Sequence, residues 1–215
     1  VVLSVGRWLR VSLGLLPLLA YLCVVCVDYA YLQAYSWRKG CSVEVFDVYG
    51  YARGLLSRCY YDRLELRDYL HLGETDAEVL VIATHYFTSP RGEVGLGTSE
   101  PVPAYYPLVH PVRTLQVIKG VLPSGVYAAV PPHVIEGSNL RGKTVVLLTC
   151  SLPRVDEVAE AFVRAGARLV AVSNTPALQP DRLRYLLELV LNSLGSPESL
   201  CGTELFVCYG GRGGG

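Results

Sequence analysis

KTVVLLTCSLPRVDEVAEAFVRAGARLVAVS, residues 143–173, decides how the fold is read. Its opening, Thr144–Thr149, is short, apolar and rich in β-branched residues, the composition of a strand buried on both faces. Pro153 then stands where a helix can begin, and Asp156 and Glu157 suit the positive end of a helix dipole. Val155, Val158, Ala159, Phe162 and Val163 recur at helical spacing as one apolar stripe. Gly166 is placed to close that helix in a left-handed conformation, and Leu169–Ser173 begins a second buried strand. Strand, helix and strand in this order imply a parallel pair within an α/β sheet. Cys150 lies at the carboxyl end of the first strand, the edge where reacting groups collect in open α/β sheets.

A second apolar run, Glu78–Thr84, stops at His85 in the same way. If both strands run parallel in one sheet, Cys150 and His85 emerge at one edge. A thiol beside an imidazole is the minimum for nucleophilic catalysis, because the imidazole favours the reactive thiolate. Each residue alone also has an ordinary reading, as a buried strand-end cysteine and a capped polar residue.

The chain of 215 residues fits one domain with an appendage. Its hydrophobic share of 51% is concentrated towards the N-terminus. Formal charge is balanced and no basic block occurs, so nothing points to nucleic acid. Val11–Val27 carries no charge and, as a helix, would be about 25 Å long, close to a bilayer core. Arg7 and Arg10 precede it, and Trp8, Tyr29, Tyr31, Tyr35 and Trp37 flank it as interfacial aromatics would. The pattern predicts an uncleaved single-pass anchor over residues 1–36, with the following domain outside the cytoplasm. A cleaved signal peptide and a buried soluble helix are the competing readings.

The domain is expected over residues 37–209, ahead of a flexible glycine-rich tail at 210–215. Ser42–Tyr49 is read as the first strand, and Cys59–Tyr61 as a possible short one. Leu64–Leu72 is read as a helix stopped by Gly73. Within the long connection 86–142, Val112–Val121 and Val126–Val130 suggest a hairpin, and His133–Glu136 one helical turn. Asp181–Leu194 is an amphipathic helix and Glu204–Tyr209 a last strand. Cys41, Cys59, Cys201 and Cys208 could pair in an oxidising compartment, with Cys201–Cys208 the favoured bridge, leaving Cys150 free. The alternative is four reduced core cysteines.

Other chemistries find little footing. Residues 137–144 satisfy the phosphate-loop pattern GxxxxGK[ST], but a strand follows Lys143 where that mechanism needs a helix. The four histidines are dispersed and no HExxH occurs, so no metal or cofactor is implied. No GxSxG elbow supports a serine hydrolase.

Residues 42–195 resemble the caspase, gingipain and clostripain group of cysteine peptidases, including the CHAT type. Residues 77–85, ending in His85, are similar to the strand that carries the group's histidine. Residues 139–151 are similar to the strand that ends in its cysteine, and residues 159–172 to the run that follows. The resemblance implies a caspase-like, parallel-dominated sheet flanked by helices and a peptide or protein substrate. It implies Cys150 as nucleophile, His85 as general base or acid, and backbone N–H groups of Tyr86 and Cys150 as the oxyanion hole. Tyr86 stands where the group has glycine, and its ring is expected to narrow the entrance. The first αβ portion is shortened, and Ser-Leu-Pro follows the cysteine in place of a glycine-containing loop. A non-catalytic domain that binds a peptide or partner is the second expectation. Arg91, Glu93, Glu100 and Asp156 are candidates for specificity because they flank the site loops.

Overall fold

The structure, a computed structural model, describes residues 2–33, 40–51, 59–150 and 153–210, with side chains from residue 15 onward. Its strands are β1 (Val43–Asp47), β2 (Tyr60–Tyr61), β3 (Val79–Ala83), β4 (Tyr86–Thr88), β5 (Val94–Pro101), β6 (Ile118–Leu122), β7 (Gly125–Val130), β8 (Thr144–Leu148), β9 (Leu169–Ser173) and β10 (Phe206–Gly210). The helices are α1 (Val2–Gln33), α2 (Leu66–His71), α3 (Tyr106–Val109), α4 (Pro111–Thr114), α5 (Pro132–Glu136), α6 (Val155–Arg164) and α7 (Pro180–Asn192). Residues 34–39, which hold Tyr35 and Trp37, lie outside the described residues, as do 52–58, Ser151, Leu152 and the tail from residue 211.

The main sheet has six strands in the order β10-β9-β8-β3-β1-β2, all parallel except β10 at one edge. The fold is thus mixed α/β with a largely parallel sheet flanked by helices. β3, β8 and β9 are buried along their whole length, which their unbroken Val, Leu and Ile content requires. One face packs Phe46, Leu80, Ile82, Val145 and Leu147 against α2, α5 and α6. The other packs Val45, Val81, Val146 and Leu148 against Leu183, Leu186, Leu187 and Val190 of α7. Gly166 has φ +100°, the left-handed stop expected after α6.

A second, antiparallel sheet in the order β4-β5-β7-β6 occupies the long connection. Here the sequence reading is corrected in two places. Strand β5 was not anticipated, because Gly95 and Gly97 interrupt its apolar pattern. Those glycines are needed for contact: a Cβ on Gly97 would lie 2.8 Å from the Phe87 ring, and one on Gly95 2.8 Å from the Val130 carbonyl. The expected strand Val112–Val121 also begins later, at Ile118, because residues 111–114 form α4. Pro111 favours that helix start, and the Asp28 carboxylate accepts the N–H groups of Val112 and Arg113 at 3.0 and 3.1 Å.

Asp28 comes from α1, so packing runs across the partition drawn at residue 36. Its carboxylate is 2% exposed and also accepts Arg113 Nε at 2.6 Å. Arg113 lies 3.5 Å from Glu100, which accepts the Tyr106 hydroxyl at 2.9 Å and the Leu66 N–H at 3.0 Å. The guanidinium groups of Arg67 and Arg113 stack on the Tyr31 ring at 4.6 and 4.3 Å. Leu32 is fully buried and its carbonyl accepts His71 Nε2–H at 2.7 Å. Before Asp28, α1 projects from the domain: Leu15–Gln33 is long and apolar enough to cross a membrane, and an N-terminal signal sequence has the same character.

Four of the five cysteines beyond the apolar run are paired, and Cys150 is free. Cys41–Cys59 ties the approach to β1 to the start of β2, with Cα atoms 6.1 Å apart. Cys201–Cys208 spans the turn into β10, with Cα atoms 5.5 Å apart. Lys143, of the phosphate-loop pattern, donates from Nζ to the carbonyls of Thr75 and Ala77, both at 2.7 Å. That lysine ties the base of the sheet together and precedes a strand, so the pattern forms no phosphate cradle.

Candidate active site

The strand order creates a switch point. The chain leaves β1 for β2 on one side, then crosses to β3 and on to β8 and β9 on the other. In open α/β sheets the crevice at such a point, beyond the carboxyl ends of the strands, is where ligands bind. Asp47, Ala83 and Leu148 are register partners at the ends of β1, β3 and β8. Tyr49, His85 and Cys150 each follow two residues later, and so form a row across three adjacent strand ends. The register persists beyond the ladder, because the Thr84 N–H donates to the Leu148 carbonyl at 3.1 Å and Val48 N–H to the Ala83 carbonyl at 3.0 Å. His85 and Cys150 are both half-buried, and Cys150 carries a free thiol.

Three devices hold this row, none evident from the sequence. The Ser173 hydroxyl accepts the Thr149 N–H at 3.0 Å and donates to the Thr149 carbonyl at 2.7 Å. It continues the β8–β9 ladder past its last backbone pair and fixes the chain just before Cys150. Tyr49 meets His85 edge to face, with ring centroids 4.4 Å apart, and stacks on Tyr51 at 5.5 Å. Asp47 anchors that turn by accepting the N–H groups of Tyr49 and Gly50 at 3.0 and 3.1 Å. Arg154, left-handed at φ 68°, binds the Gly92 carbonyl and Glu157, joining the loop after Cys150 to the β4–β5 turn. Tyr49 and Ser173 carry no local motif; only the sheet order brings them to the site.

Replacing Ser173 by alanine would leave both backbone groups of buried Thr149 without that partner. The expected cost is about 1–3 kcal/mol in chemical denaturation. Alkylation of Cys150 should slow in the same variant, and equal alkylation rates would mean that the clamp does not serve the thiol.

Tyr86 requires a correction. Its ring is buried in the core, and its hydroxyl donates to the Pro153 carbonyl at 3.1 Å. Burial first, then the charge of Glu157, push its pKa up to about 12. The side chain therefore holds the loop after Cys150 and does not narrow the entrance; a glycine there would delete a core ring. Its backbone remains suited to the expected role. Gly97 N–H donates to the His85 carbonyl at 2.7 Å, so His85 faces β5. Alternation along an antiparallel pair then turns the Tyr86 N–H away from β5, towards the open edge of β4.

Of the four specificity candidates, Glu100 is withdrawn, since it is buried among Arg113, Tyr106 and the α2 N-terminus. Glu93 accepts the Ser89 hydroxyl at 3.0 Å within the β4–β5 turn, Arg91 lies in that turn, and Asp156 is in the first turn of α6.

Burial between the Tyr49 and Phe87 rings lowers the His85 pKa below its ordinary 6.5. The imidazole is therefore neutral at physiological pH and suited to accept a proton, rather than preformed as an imidazolium beside a thiolate. The same shift makes stability depend on pH. The unfolded chain protonates His85 at its ordinary value while the folded protein resists. Stability from this group is therefore full above 6.5 and declines as pH falls through the lower folded value. A His85→Gln variant should flatten that part of the curve in urea titrations run from about pH 7.5 to 4.5. Parallel curves for the two proteins would remove His85 as the cause.

Burial pushes the Tyr49 phenol well above its usual range, so it stays protonated beside the His85 ring. No protein-family model matches the chain, and no curated protein matches it significantly, so the chemistry of this edge rests on its own geometry.

Proposed function

We propose that the chain is a caspase-like cysteine endopeptidase held at a membrane by α1, with Cys150 as nucleophile and His85 as base. The observation that carries this reading is the placement of a free thiol and a neutral imidazole at equivalent positions beyond adjacent parallel strands. In the proposed reaction Cys150 Sγ bonds to the scissile carbonyl carbon while His85 takes the thiol proton. The carbonyl electron pair becomes an oxyanion that accepts the N–H groups of Tyr86 and Cys150. Return of that pair breaks the C–N bond, and the amine departs with the proton from His85. Water, deprotonated by His85, then hydrolyses the thioester and the thiol is restored.

The test is a peptidyl acyloxymethyl ketone followed by mass mapping. Cys150 should be labelled ahead of Cys23 and Cys26, and His85→Ala should slow that labelling strongly. Labelling indifferent to His85→Ala would overturn the dyad. A second reading is favoured by the aromatic cluster at this edge, Tyr49 and Phe87 against His85 with Tyr51 stacked on Tyr49, which suits peptide binding without cleavage. Peptide capture with no turnover by the wild-type chain would select it.

For location we propose a single pass through residues 11–27, with Arg7 and Arg10 cytoplasmic and the domain outside. Two disulfides support an oxidising compartment. Protease added to spheroplasts should digest the domain without permeabilisation; protection would reverse the orientation.

A further inference from the structure

The segment between Glu100 and Lys119 sits beside the point where α1 leaves the domain. Its only charged residue is Arg113, which is buried. Asp28 immediately follows the uncharged run Val11–Val27, and its carboxylate caps α4 at 3.0 Å from the Val112 N–H. The α3–α4 segment is therefore pinned level with the end of the apolar run. At that level Leu108 is 71% exposed and Leu115 84%, with Tyr105 and Val109 also exposed. Exposed large apolar side chains concentrated in so short a segment mark an interaction surface. Val27 and Tyr29 of α1, also exposed, continue it onto the helix.

We infer that α3–α4 is a membrane-contacting collar, with Leu108 and Leu115 lodged in the lipid interface around the emerging helix. This rests on the membrane-anchor reading of α1. The occupant follows from continuity and charge. The surface adjoins an apolar helix of bilayer length and exposes no charged side chain, and its tyrosine suits the headgroup level. The buried Asp28–Arg113 pair fastens α4, between the two leucines in sequence, to the end of the apolar run.

The test uses the full chain in liposomes, with Trp8 and Trp37 replaced by phenylalanine and one tryptophan introduced as Leu108→Trp or Leu115→Trp. Tyr185→Trp on exposed α7 is the control. Lipids brominated near the headgroup should quench the tryptophans at 108 and 115 severalfold more than the control, and aqueous iodide should quench them severalfold less. Iodide quenching equal to the control, in a chain that resists carbonate extraction, would overturn the collar and leave the anchor standing. Protection from iodide without bromolipid quenching would put a protein, such as a second copy, on this face and overturn the lipid contact. Release of the chain by carbonate would overturn both readings.

Discussion

Replacing Cys150 by alanine should abolish the proposed peptide cleavage, lowering kcat/KM by roughly three to six orders of magnitude while the domain stays folded. The size follows from the chemistry. No other thiol lies on this edge: Cys23 and Cys26 belong to the apolar run, and the remaining four cysteines are in disulfides. The fold should tolerate the change, because Cys150 is half-exposed and the β8 terminus is held by Ser173 through Thr149 rather than by the thiol. Circular dichroism and the denaturation midpoint check the fold, and a fluorogenic peptide library checks the activity. His85→Ala should lose less, because the thiol retains some intrinsic nucleophilicity at neutral pH. Cleavage that survives in Cys150→Ala would refute the assignment.

Truncating either member of the Asp28–Arg113 pair should destabilise the chain by about 3–5 kcal/mol, since each truncation strands a buried charge. The residues are 2% and 8% exposed, which separates them from surface ion pairs. Their neighbours set the order. Asp28→Ala leaves Arg113 with Glu100, still 3.5 Å away, and so falls at the lower end. Arg113→Ala takes the buried cation from both carboxylates, leaving Asp28 the α4 N–H groups and Glu100 the Tyr106 hydroxyl and Leu66 N–H, and falls at the upper end. Asp28→Leu combined with Arg113→Met should recover only part of the loss, because the pair is removed but Glu100 keeps its charge without Arg113 and the α4 N–H groups lose their acceptor. Denaturant titration of the full chain in detergent measures all three. A cost under about 1 kcal/mol for Arg113→Ala would mean that the joint behaves as a solvated pair.

What could be read from the sequence is what short-range periodicity encodes. β3, β8, α6, β9 and α7 carry their apolar pattern within a few residues, and the two buried strand ends already pointed to His85 and Cys150. The missing pieces depend on distant partners. Residues 111–114 read as strand because the carboxylate that caps them belongs to Asp28, in another element. β5 hid because Gly95 and Gly97, which make room for the Val130 backbone and Phe87, also dilute its apolar signal. Tyr86 was misjudged because its position suggested an entrance while its ring turns into the core. Tyr49 and Ser173 became site residues only once β1 and β9 were known to flank β3 and β8.

The distance along the chain between Asp28 and its partners has a consequence for biosynthesis. Asp28 leaves the ribosome 84 residues before Val112 and 85 before Arg113. Throughout that interval its carboxylate lacks the donors that make burial tolerable, so the end of α1 cannot yet dock against the domain. The apolar helix is made first and fastened late. An interrupted chain therefore carries a solvated acid at the foot of its helix, where the completed molecule has a buried ion pair.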